Sequence, residues 1–251
     1  MTDHSGMKLG RVRACPDPRA PALATLWHAP AEAPAAIDWF SRVPTWPMMA
    51  NDTVGDCTAA AIGHVIMQWT CYTDHAPVVM GDDAVLALYS AVSGYVPGDP
   101  ATDRGALCAD MLRYWMGPGV ATPDGGPDRL VGAASVAPAD FAAVRAAIAT
   151  FGNLYTGLAL PITAQTEDIW AATGAAPGSW GGHCVPLVGF DTTGPISVTW
   201  GALKRMTWDF WRAYAEEAYA LLSPDWLRAT GTDPAGLDWA ALATAMAAMG
   251  G

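Results

Sequence analysis

Asn51-Asp52-Thr53-Val54-Gly55-Asp56-Cys57-Thr58-Ala59-Ala60-Ala61 carries a cysteine from a short polar, glycine-containing turn onto the first turn of an apolar helix. The N–H groups at a helix N-terminus have no intrahelical partner and favour negative charge, so a thiol placed there tends toward thiolate. Asp56 stands where a helix cap is expected. A second stretch, Gly181-Gly182-His183-Cys184-Val185-Pro186-Leu187-Val188-Gly189-Phe190-Asp191, puts a histidine at the head of a strand-like apolar run. A cysteine nucleophile needs a base in hydrogen-bond reach, a group that holds the base, and donors for the oxyanion. Cys57 and His183 are the first two parts of such a set, provided that the fold joins them.

Working outward, the pattern is helical over 58–73, 82–92 and 107–116, with Asp82 or Asp83 capping the second. Between them, 95–104 is a Pro/Gly/Asp loop, and 117–127 is a Gly/Pro-rich connection. A helix is expected over 138–149, then a strand over 153–160 closed by Pro161. A short helix is expected over 165–172. Strands follow at 183–190 and 196–200, joined by Asp191-Thr192-Thr193-Gly194-Pro195, which suits a hairpin. Aromatic-rich 207–220 reads as a helix, and 237–249 as another in an Ala/Met-rich tail. Helices first and strands later predict an α+β fold, with the cysteine helix packed on a C-terminal antiparallel sheet that carries the histidine. The divisions are an extended Pro/Ala-rich arm at 1–36, a main domain at 37–228 and a helical tail at 229–251. An ordered arm must dock, on its own body or on a neighbouring subunit.

Composition narrows the chemistry. The chain has 251 residues, 52% of them hydrophobic, enough for one large core. Its formal charge is −11, so it has no basic surface with which to displace counterions from a nucleic acid or to meet an anionic membrane. The longest apolar runs are too short for a membrane span, and the N-terminus lacks a signal-peptide core, so synthesis in the cytosol is expected. Five cysteines (Cys15, Cys57, Cys71, Cys108 and Cys184) without any Cys-x-x-Cys do not form a disulfide framework or a zinc ribbon. Four of them read as small buried hydrophobes, and the twelve tryptophans as core. No cofactor or metal is expected. Asp99, Asp103 and Asp110 lack the spacing of a calcium loop and read as a solvated acidic stretch. His64, two turns after Cys57, reads as a packed helix histidine, and His4, His28 and His75 have no supporting pattern.

An early helix opened by cysteine and a late strand opened by histidine resemble the papain-like cysteine peptidase superfamily. In that family a glutamine six residues before the nucleophile helps to form the oxyanion hole. The residue six before Cys57 is Asn51, a shorter amide in the same place. Gly182-His183, followed by an apolar strand ending Gly189-Phe190-Asp191, fits the family's histidine motif. The helix and strand from Pro138 to Pro161 resemble those that precede it. The family's histidine is oriented by an asparagine within Asn-Ser-Trp-Gly. Here the stretch is Val198-Thr199-Trp200-Gly201. The asparagine position falls on Val198 without a gap and on Thr199 with a slip of one, and Asp191 or Asp56 are further choices. Trp200 sits where the family's tryptophan shields the histidine. The Gly-Asp-Cys, Gly-Gly-His and Thr-Trp-Gly-Ala-Leu stretches also resemble proteins of tailed phages and prophages.

The resemblance implies a cysteine hydrolase acting on an amide bond, with Cys57 as nucleophile, His183 as base and Asn51 as oxyanion donor. Its partner is a protein or peptide substrate. The other reading is a non-catalytic structural or decoration protein of a virion, whose arm contacts neighbouring subunits. The separation of the Cys57 sulfur from the His183 ring is the first discriminating observation.

Overall fold

The computed structural model describes residues 3–13, 20–28, 33–74, 76–123 and 126–231, together with 237, 238, 240, 241 and 244. The helices are α1 (Leu23–Leu26), α2 (Cys57–Thr73), α3 (Asp82–Ser93), α4 (Cys108–Met116), α5 (Phe141–Phe151), α6 (Trp208–Tyr214) and α7 (Pro224–Thr230). The strands are β1 (Ile37–Asp38), β2 (Val120–Ala121), β3 (Pro127–Asp128), β4 (Gly132–Ser135), β5 (Leu154–Leu160), β6 (Ile169–Trp170), β7 (Gly181–Phe190), β8 (Pro195–Thr199), β9 (Ala202–Met206) and β10 (Ala215–Leu222). The main sheet runs β4-β10-β5-β7-β8-β9-β6, with β1 added along β7, and β2 pairs with β3 apart from it. All its pairings are antiparallel except β6 with β9. This is the α+β arrangement expected.

The apolar character of α2 all round has a direct consequence: a helix with no polar face must be covered on every side. It is buried from Cys57 through Trp69, packed between α3, α4 and α7 on one side and β7 on the other. Several polar side chains inside this packing are paired, while the Thr58 hydroxyl and the Asn153 Oδ1 have no hydrogen-bond partner. Gln68 donates to the Gly152 carbonyl (2.9 Å) and accepts from Asn153 (2.9 Å), and the Tyr155 hydroxyl donates to the Thr58 carbonyl (2.9 Å). The last bond ties β5 to the first turn of α2, which sets the cysteine's height against the sheet. His64 is buried with Nε2 on the Pro47 carbonyl (2.9 Å), the packed helix histidine expected.

Four local expectations are corrected. Neither Asp82 nor Asp83 caps α3, whose cap position is Gly81 with both aspartates in the first turn. The expected helix over 207–220 stops at Tyr214, and Ala215–Leu222 is a central strand between β4 and β5. Its Ala-Glu-Glu-Ala-Tyr-Ala-Leu-Leu composition favours helix, but pairing on both edges overrides a propensity of a few tenths of a kcal/mol per residue. Residues 165–172, expected as a helix, form a single 3-10 turn (Ile162–Gln165) and the short strand β6. Asp56 does not cap α2, because its carboxylate faces back into the turn. The tail helix expected over 237–249 and Cys15 lie outside the described residues, apart from a few tail positions.

The N-terminal arm docks on its own body. His4 N–H bonds the Gln165 carbonyl (2.7 Å), Arg11 bridges to Ala106, and Ala22 bridges to Ser135 on the edge strand β4. Leu23, Leu26 and Trp27 are buried, with Trp27 edge-on to Phe151. The arm therefore crosses between the helical half and the sheet before running along the sheet's edge. A cavity of about 560 Å³ lies beside this edge, between Leu23, Trp27, Val136 and Tyr219. It does not touch Cys57 or His183.

Candidate active site

Cys57 heads α2, and His183 lies near the start of β7. The packing of α2 on β7 brings Cys57 against the residue that follows His183, and no hydrogen bond joins the sulfur to the His183 ring. The Cys184 N–H, next in chain to His183, donates to the Cys57 sulfur at 3.4 Å. His183 Nε2 and Thr199 Oγ1 are 2.6 Å apart, while Nδ1 has no hydrogen-bond partner. The ring is thus held by one nitrogen and has the other open to a proton. Strand alternation decides between Val198 and Thr199: neighbours on β8 point to opposite faces, and the one on the histidine's face is Thr199. Asp191 is instead a turn residue that accepts from Thr193 N–H (2.8 Å) and pairs with Arg205. Asp56 bonds Asn51.

Trp200 stacks on the His183 ring at 4.5 Å between centroids, and His4 of the arm stacks on Trp200 at 4.9 Å. Trp200 and Gly201 form the two-residue turn between β8 and β9, both at positive φ (47° and 72°). Such a turn matches the twist of a hairpin. A tryptophan there is strained, and its packing between His183, His4 and Trp180 holds it.

Asn51, the expected oxyanion donor, is buried, and its amide nitrogen donates to the Val54 carbonyl (3.2 Å) and to Asp56 Oδ1 (3.0 Å). Both amide hydrogens are committed within the turn. The same turn is fastened from outside. Asp103 accepts from the Gly55 N–H (2.9 Å) and from the Tyr89 hydroxyl (2.7 Å), so part of the acidic stretch expected to be solvated is a strut for the cysteine loop. Nothing in the sequence spacing signals this, because the bond spans 48 residues.

The arm also went unread as part of the site. Residues 9–11 lie over the sulfur. Arg11 N–H bonds the Gly182 carbonyl (3.1 Å), Val12 N–H bonds the Ala106 carbonyl (3.0 Å), and Ala106 N–H bonds the Gly10 carbonyl (2.8 Å). The fit is close: a Cβ on Gly10 would sit 1.5 Å from the Gly55 carbonyl oxygen. Under this cover Cys57 is 1% exposed and His183 0%. Burial pushes the Cys57 thiol up to about 12, against the pull of the Cys184 and Gly10 N–H groups. Burial, with His4 nearby, pulls His183 down to about 3. Desolvation outweighs the helix terminus, so the covered pair is neutral thiol and neutral imidazole. Asp56 is likewise raised by burial to about 8, well above the usual carboxylate range. Among the described residues, no group of three or more His, Cys, Asp or Glu side chains is placed to hold a metal ion.

No family model and no curated protein matches the sequence. Solved structures do match the fold. Xylellain, a cysteine protease from Xylella fastidiosa, superposes with a TM-score of 0.67 at 14% identity, over 89% of this chain and 98% of that one. The chain has the papain-like fold. Digestive procathepsin L 3 of Tenebrio molitor matches at a TM-score of 0.61 and 12% identity, over 88% of this chain and 77% of that one. Bromelain protease from Ananas comosus, in complex with the E64 inhibitor, matches at 0.54 and 15%, over 75% and 98%. At these identities the likeness is one of fold.

Proposed function

We propose that the chain is a papain-like cysteine hydrolase of amide bonds, held latent by its own arm. The observation that carries this is the histidine. His183 is fixed through Nε2 by Thr199 and stacked on Trp200, with Nδ1 unpartnered, and the next residue's N–H donates to the sulfur at the head of α2. A core histidine without function is normally bonded at both nitrogens or left with one at water. In the reaction, the Cys57 proton passes to His183 Nδ1, and the thiolate attacks the carbonyl carbon. The imidazolium then returns the proton to the departing amine, and water releases the acyl group from sulfur. Thr199 keeps the ring in position. The Cys57 backbone N–H at the helix terminus faces the developing oxyanion, and Asn51 joins it only by giving up its bond to Asp56.

The arm keeps water and substrate off this pair, so the covered state does not form the thiolate–imidazolium ion pair. Gly10→Ala is expected to lift the arm by its clash with Gly55. Iodoacetamide should then label Cys57 rapidly and stoichiometrically, and His183→Ala should remove that reactivity. A Cys57 no more reactive than free cysteine once the arm is displaced would sink the hydrolase. That result would favour the non-catalytic reading, in which the filled cleft is a permanent packing contact. The setting proposed with the activity is cytosolic synthesis and association with a phage particle, supported by the phage-like stretches alone. Recovery of the chain in purified virions tests it, and absence from them removes it.

A further inference from the structure

Gly10 and Arg11 lie along the cleft like a bound peptide. Gly10 packs against Gly55 of the cysteine turn, and the Arg11 N–H bonds the carbonyl of Gly182, the residue before His183 (3.1 Å). From that point the Arg11 side chain turns into the body. Its Nε bonds Glu217 Oε1 (2.6 Å), and its Nη1 bonds Glu216 Oε2 (2.7 Å) and approaches the Leu158 carbonyl (3.4 Å). The side chain is 1% exposed. The socket belongs to the sheet. Glu217 opposes Gly157 across the β10–β5 pair, and a Cβ at 157 would meet Arg11 Nε at 2.2 Å and Glu217 Oε1 at 2.7 Å. A register shift between Ala215 and Glu217 interrupts the alternation of β10, which lets two successive carboxylates reach one guanidinium. The Tyr219 hydroxyl holds the second oxygen of Glu217 (2.9 Å).

We propose that Glu216 and Glu217 form a specificity socket for an arginine or lysine side chain of a peptide substrate, and that Arg11 occupies it as a stand-in. This rests on the hydrolase reading. Two adjacent carboxylates, one of them 7% exposed, require a cation when the cleft is filled. All four oxygens are met, with Arg13 on Glu216 Oε1 (2.9 Å) beside the Arg11 and Tyr219 bonds, but Arg11 itself fits imperfectly, since its Nη2 is buried without a partner. The arm itself escapes cleavage because it is wrongly presented. The Gly10 carbonyl is held by the Ala106 N–H (2.8 Å) rather than offered to Cys57. The substrate is then a peptide with a basic residue next to the one lying over Cys57.

The test uses the full chain with Arg11→Ala, which empties the socket. Peptidyl vinyl sulfones carrying arginine or leucine at the first or second residue before the electrophile are compared by their rates of Cys57 labelling. The arginine probe should react at least about tenfold faster at one of those positions, and adding Glu217→Gln should collapse that ratio toward one. Equal rates for arginine and leucine, or a ratio that survives Glu217→Gln, overturn the socket. Iodoacetamide separates the two levels. If it labels Cys57 no faster than free cysteine once Gly10→Ala is added to lift the arm, the hydrolase reading itself fails; if labelling is fast there but the probes show no basic preference, only the socket fails. Should Arg11→Ala not fold, Arg11→Met keeps the buried stem. A thermal shift of that variant by N-acetyl-arginine amide, absent with N-acetyl-leucine amide, gives the same answer without turnover.

Discussion

At the scale of single residues, the site turns on two side chains with unusual partners. Thr199 is a hydroxyl where an amide orients the histidine in the resembled family, and it supplies one hydrogen bond to Nε2. Thr199→Val should leave that buried nitrogen unpaired, at about 1–3 kcal/mol of stability in urea unfolding. In the Gly10→Ala chain it should also slow Cys57 labelling, while Thr199→Ser retains both. Asp56 makes a pH prediction. Its folded carboxyl keeps a proton up to about pH 8, whereas an unfolded aspartate loses it near pH 4. Between those values the folded chain binds more protons, so the stabilisation is complete below the unfolded value and is lost as pH rises toward 8. His183 and His64, lowered by burial to about 3 and 4, run the other way, but only up to the unfolded histidine value near 6.5. Stability should therefore fall between about pH 6.5 and 8, by roughly 2 kcal/mol. Asp56→Asn should flatten the fall. An unchanged slope in that variant would show that another group is responsible.

At the scale of elements, the hairpin β8–β9 sets Thr199 and Trp200 against His183. Its turn needs positive φ at both central residues, and Gly201 supplies one without strain. Gly201→Ala should cost about 1–2 kcal/mol and loosen the histidine's support, read as a lower urea midpoint together with slower labelling of Cys57 in the Gly10→Ala background. Much at this scale was legible in the sequence. The apolar run from 58 to 73, the helix expected over 138–149 and the strand ended by Pro161 all lie where local chemistry puts them, to within a few residues. Strand β10 was not legible, because Ala, Glu and Leu favour helix and only the edges of β4 and β5 make 215–222 extended.

At the scale of the whole molecule, the arm joins the two halves across the cleft. Its anchor is the Arg11 ion network with Glu216 and Glu217. Burial pulls that guanidinium's proton affinity down, and the adjacent carboxylates more than offset the loss, leaving it raised. Removing one member of such a network leaves charge buried without a partner. Arg11→Met should thus destabilise the chain by about 3–5 kcal/mol, seen as a lower urea midpoint. It should also free the arm for limited proteolysis ahead of the body. An arm that stays protected in that variant would place the anchor elsewhere, on Leu23, Leu26 and Trp27.

The sequence by itself determined the two poles of the site. A cysteine at the head of an apolar helix and a histidine at the head of an apolar strand are local patterns, fixed by helix-terminus chemistry and strand periodicity over about ten residues. It also narrowed the histidine's partner to Val198 or Thr199 among its choices, leaving the face open. What lies between the poles was decided only by tertiary structure. Which face of β8 meets His183, where the Asn51 amide points, that Asp103 braces Gly55, and that residues 9–11 fill the cleft all depend on contacts between segments far apart in the chain. Such contacts leave no period in the sequence, because hydrogen bonds and burial depend on where groups meet in space. Burial also decided the protonation of the pair, turning a place suited to a thiolate into a covered neutral thiol.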